Sequence, residues 1–296
     1  MTLGDPRDAP AGARNRPRGR PRRDPVEECR ARTWYWLVRS RSELSDYALN
    51  HRFIEASPKG GAPKAFDRVR KHGVVPTDAT PPDSDRKARS RRDYSLVERV
   101  DQEPSFHGTA AVFRAPFWRV VSHPTMDVQD IRAIVKATSE ALGLLRPDLL
   151  HAKRLLGDDL QSPLYAETHM LAVADLARRA CIDSLGLLAS LFREALLFAE
   201  LDLCILLREG FQSGLHRYAD RMIAYVELPH LAQFKPAIER DAFRLVNVAI
   251  DRVVHSRQMS DKVDLLDDPR IPVLEKELLA DANGRIPPRL SIQFVD

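Results

Sequence analysis

The stretch "LGLLASLFREALLFAELDLCILL" (residues 185–207) decides the fold class. It is long enough and apolar enough to raise a membrane span, but it carries Arg193, Glu194, Glu200 and Asp202. Each of these costs about 2.5–3.5 kcal/mol near a bilayer centre. The stretch is therefore expected as the core of a helix over 184–209, apolar almost all round and wrapped by other helices. Working outward, helical periodicity continues near 126–145, 148–157, 164–182, 211–227, 236–257 and 271–281. Pro147, Pro163, Gly210, Pro229, "DDPR" (267–270) and Pro272 are expected to supply the breaks. The closing "RLSIQFVD" alternates like a strand but has no visible partner. Residues 126–296 are expected to form an α-helical bundle.

Toward the N-terminus the pattern changes. Residues 1–25 hold Pro, Gly, Arg and Asp with few apolar side chains, and are expected to be a disordered basic tail. Residues 26–125 read as a small helical domain. "VEECRARTWYWLVRS" (26–40) has a helical face, and its Trp34, Tyr35 and Trp36 are expected in a core. "SELSDYALNHRF" (42–53) follows, with Ser42 or Ser45 as N-cap and Leu44, Tyr47, Ala48 and Phe53 as its apolar face. After "SPKGGAP", "KAFDRVRKHG" (64–73) gives a short helix stopped by Gly73, with Pro76 just beyond. The polar, proline-containing stretch 77–92 reads as a mobile loop. The whole is expected to be all-α.

Charge is uneven along the 296 residues. Residues 1–125 hold 25 Lys/Arg against 16 Asp/Glu, and the remainder 21 against 26. A basic front and an acidic back point to one region that faces a polyanion. Arginine outnumbers lysine 37 to 9, a bias that a G+C-rich genome produces without selection for phosphate contacts. Three cysteines (Cys29, Cys181, Cys204) show no pairing rhythm and no zinc-ligand spacing, which fits a reducing, cytoplasmic setting. No Gly-rich phosphate loop, dinucleotide fingerprint or nucleophile elbow is present, and no cofactor, metal site or catalytic set is expected. Glu194, Glu200 and Asp202 are expected to pair with arginines such as Arg193 and Arg208.

Two segments suggest a partner. "RPRGRPRR" (16–23) resembles an AT-hook. That resemblance implies that Arg18 and Arg20 enter a narrow A·T minor groove while Gly19 clears its floor. The helices at 26–40, 44–54 and 64–72, closed by Gly73 and Pro76, resemble the helix-turn-helix of Cro-like phage repressors. The resemblance implies that 64–72 lies in the major groove. Lys64, Arg68 and Lys71, at i, i+4 and i+7, would then face DNA, with Phe66 and Val69 in the core and Arg70 and His72 at the flanks. The turn "IEASPKGGAP" (54–63) is longer than the 3–4 residues of that motif. A packed helical hairpin with a solvated basic face is the alternative. The expected function is DNA binding with a dimerising or sensing bundle; the competing class is a helical interaction or scaffold protein.

Overall fold

A computed structural model describes residues 23–54, 64–76, 96–123, 125–144, 163–197 and 201–255. Its helices are α1 (Pro25–Ser40), α2 (Asp46–Phe53), α3 (Ala65–His72), α4 (Leu96–Asp101), α5 (Thr109–Arg114) and α6 (Pro116–Ser122). They continue as α7 (Val128–Ala141), α8 (Pro163–Arg179), α9 (Ile182–Leu197), α10 (Leu201–Ile223) and α11 (Lys235–Val253). Short 3-10 turns lie at Pro104–Phe106, Ala224–Glu227 and Ala232–Phe234. No strand occurs among the described residues, so the fold is all-α. No helix there is long and apolar enough to cross a membrane. The expected helices at 148–157 and 271–281, the loop 77–92 and the strand-like C-terminal residues lie outside the described residues.

The apolar stretch is two helices, which corrects the single helix expected over 184–209. α9 ends at Leu197 and α10 begins at Leu201, so the break between helices falls before Gly210, not at it. Gly210 instead sits inside α10, where missing side chains permit close packing. A Cβ built on Gly210 would lie 2.3 Å from Val173 Cγ1, and one on Gly214 would lie 3.2 Å from the Ala177 Cα. Gly210 also faces Leu188, and Gly214 faces Leu185. These pairings run α8 and α10 in the same direction, with α9 antiparallel to both. α9 is the central element, buried along nearly its whole length from Ile182 to Ala195.

α1 starts earlier than expected. Asp24 is its N-cap, accepting from the Val26 N–H at 3.0 Å, and Pro25 occupies the first turn where a missing N–H is harmless. Residues 23–25 thus belong to the folded body and not to the tail. Trp34, Tyr35 and Trp36 are wholly buried, as expected. Trp34 stacks on Phe66 of α3 (centroids 5.9 Å) and meets Phe113 of α5 edge-on, so the aromatic residues of 106–118 belong to the main core. In α2, Ser45 is the N-cap. The expected apolar face is corrected at Tyr47, which is 65% exposed, because the buried Asn50 fixes the register of the helix.

Helices from before and after residue 125 pack on one another. Buried side chains form one continuous cluster from Val26 to Val254. Phe117 of α6 packs on Gly186 of α9, and α1 packs on α11. Asp241 of α11 accepts from Arg32 Nη1 (2.6 Å) and from the Trp36 indole Nε1 (2.9 Å), both on α1.

Arginines serve the ends of helices. Arg193, almost wholly buried, donates to the His123 carbonyl after α6 and to the Arg252 carbonyl of the last turn of α11 (3.1 Å). Arg221 donates to the carbonyls of Arg179 (2.6 Å) and Ala180 (3.1 Å), where α8 ends with Ala180 at φ +40°. These carbonyls lack intrahelical partners and carry the negative end of the helix dipole. Burial lowers the Arg193 pKa to about 10, and no carboxylate offsets this among the described residues. The expected Arg193 pairing with a neighbouring acid is therefore corrected. Glu194 pairs with Arg132 of α7 at 3.1 Å, and Arg208 pairs with Glu209 at 3.3 Å.

Candidate nucleic-acid interface

α3 is short, and its placement comes from polar contacts as much as from apolar ones. Phe66 and Val69 are buried, which seats one face against α1 and α2. Lys64, at the start, offers no side-chain cap. Asn50 of α2 does this work from outside the helix. Its Oδ1 accepts from the Phe66 N–H (3.0 Å) while its Nδ2 donates to Asp67 (3.1 Å). Asn50 is fully buried, so leaving either group unpaired would be costly. Asp46, at the start of α2, accepts from Arg70 Nε (2.7 Å) and from the Tyr35 hydroxyl (2.5 Å). Burial and the Asp46 carboxylate push the Tyr35 hydroxyl pKa upward, so it stays protonated and donating. The Arg70 guanidinium also lies 5.3 Å from the Phe234 ring centroid, within cation–π range.

The helix stops where Gly73 takes the left-handed conformation, φ +55°. Its N–H donates to the Val69 carbonyl at 2.8 Å, and a Cβ here would sit 3.0 Å from Glu28 Cβ on α1. Conformation and space both call for glycine. Arg70, Lys71 and His72 occupy the last turn, the favourable end for cations.

The outward face holds Lys64, Arg68 and Lys71, all exposed, and no carboxylate pairs with them among the described residues. Most arginines elsewhere in the described fold meet a carboxylate or a carbonyl, as Arg32, Arg52, Arg119, Arg193 and Arg221 do. Arg70, expected at the flank, is instead held by Asp46 and Asp67 and is withdrawn from the face. Tyr47 and His51 meet at a tilt on the exposed side of α2 (centroids 4.2 Å), which an inward Tyr47 would not allow. Arg18, Gly19 and Arg20 lie outside the described residues. Arg23, at the end of the AT-hook-like segment, donates to the His72 carbonyl at the C-terminus of α3 (2.8 Å). The arginine-rich segment therefore joins the fold beside α3, a juxtaposition of positions 49 apart that no local pattern signals.

Residues 54–64, which join α2 to α3, exceed the tight turn of a helix-turn-helix. Among the described residues no three His, Cys, Asp or Glu side chains converge as metal ligands would. Burial raises the Cys29 thiol pKa to about 12, which leaves it a thiol and a poor nucleophile at neutral pH. No protein-family model, curated protein or solved structure matches the chain.

Proposed function

We propose that the chain binds duplex DNA through the exposed face of α3, with the arginine-rich segment 16–23 contacting the minor groove beside it. One observation carries this reading: Lys64, Arg68 and Lys71 share an exposed face without carboxylate partners among the described residues. The bond from Arg23, the last residue of the arginine-rich segment, to the His72 carbonyl of α3 supports a joint surface. Neutralising about three phosphates would steepen the salt dependence of binding by roughly 0.9 per contact. The three free thiols suit a reducing, cytoplasmic location.

The test is gel retardation with mixed-sequence and A·T-rich duplexes over a salt series. Combined Lys64→Ala, Arg68→Ala and Lys71→Ala should reduce the salt slope by about 2–3, with the melting temperature unchanged. Contacts to base edges would add about 1–3 kcal/mol of lost discrimination per residue. Arg89→Ala, Arg91→Ala and Arg92→Ala provide a control of equal charge loss. The reading fails if the two triple variants behave alike on every duplex, or if no duplex is bound at low salt.

The competing reading is a helical interaction protein that associates through its bundle. It is favoured by the exposure of Leu171 on α8 (64%) and Phe243 on α11 (57%). Sedimentation of the wild type against a Leu171→Lys, Phe243→Lys variant distinguishes a homodimer held by these residues from a monomer.

A further inference from the structure

A groove of about 450 Å³ opens between α1, α6 and α7, away from the buried face of α3. That volume is within the range of small-molecule sites. Its apolar lining comes from Ala115, Pro116, Trp118 and Ile134, with Ala133 and Ala137 one helical turn apart on α7. The Trp118 indole is locked in place by its Nε1 donating to the Val112 carbonyl at 2.7 Å. Around this lining stand Arg30, Arg114, Arg119 and His123, against one lining carboxylate, Glu27. Arg30 gives Nη2 to Glu27 and lies 4.5 Å from the Phe113 ring centroid, and its Nε is buried, so it lines the groove without offering that nitrogen. Arg119 gives Nη2 to Asp130, which does not line the groove, and no acceptor for its other nitrogens is found among the described residues. The groove thus combines a rigid apolar wall with the Arg119 guanidinium, of which only Nη2 meets an acceptor among the described residues.

We infer that this groove binds a small organic anion with an apolar body, an aromatic or acyl carboxylate. The body lies on Trp118, Ile134 and the two alanines, and the carboxylate accepts from Arg119. A planar carboxylate matches the fork of a guanidinium, and the partly enclosed setting strengthens such charge-assisted bonds. A neutral ligand would leave that guanidinium as it is and gain only the apolar contact.

The experiment uses the full-length chain without DNA, so its outcome is independent of the proposal for α3. Anilinonaphthalene sulfonate, whose sulfonate stands in for the carboxylate, is titrated and followed by fluorescence, then displaced with naphthoate or with neutral naphthalenemethanol. Binding at one site is expected, with naphthoate displacing the probe at least tenfold better than the alcohol. Ala137→Trp fills the groove from an exposed position and should abolish the signal. Arg119→Gln should weaken probe and naphthoate roughly tenfold, and remains informative should Ala137→Trp melt early. The inference is overturned by absence of binding, by equal displacement with both competitors, or by an undiminished signal in both variants.

Discussion

Asp241 joins α1 to α11 by accepting from Arg32 and from the Trp36 indole while almost fully buried. Removing one partner of such a group strands the others, and breaking a buried pair costs about 3–5 kcal/mol. Asp241→Ala should lower stability by that amount in urea unfolding, because Arg32 and the indole both lose their acceptor. A loss under about 1 kcal/mol would mean that water or a neighbour replaces the carboxylate readily. The sequence revealed part of this region. Three consecutive aromatics beside Leu37 and Val38 read as core, and they are core. Their polar partners did not show, since Arg32 and Asp241 are 209 positions apart and neither lies in a motif. Tyr47 departs from the expected face for a related reason: Asn50 looks like a surface residue, yet its buried amide sets the register of α2 and turns Tyr47 outward.

At the scale of elements, glycine at 210 is a contact and not a helix break. An exposed helical glycine replaced by alanine ordinarily gains roughly 1 kcal/mol. In α10 the sign should reverse, because the new Cβ would collide with the stiff, β-branched Val173 of α8. Gly210→Ala should destabilise by about 1–3 kcal/mol, and Val173→Ala in the same chain should recover part of that loss. A stabilised single variant in thermal denaturation would show that α8 can move aside. Helix type, caps and most boundaries were legible here, since Ser45 at the start of α2 and Gly73 at the end of α3 are local signals. The break between α9 and α10 was not, because no proline, glycine or polar run marks it.

For the whole molecule, the continuous cluster from Val26 to Val254 makes the front and back halves mutually dependent. α1 and α6 cover faces of α11 and α9 that would otherwise meet water. A fragment spanning 126–296 should therefore lose most of its helical circular dichroism. The intact chain should unfold with coincident helical and tryptophan signals. Two separated transitions would support a boundary near residue 125. The basic surface on α3 was legible as a spacing of three residues, whereas its junction with the segment before Arg23 required the fold. The helix-end arginines also separate two origins of one amino acid. Base composition can fill a chain with arginine, but it cannot choose a position where one planar side chain reaches two diverging carbonyls. If a descendant lineage drifted toward lysine codons, Arg68 on the open face could follow, since an ammonium also meets a phosphate. Arg193 and Arg221 could not, and arginine would persist in such descendants where helices finish side by side.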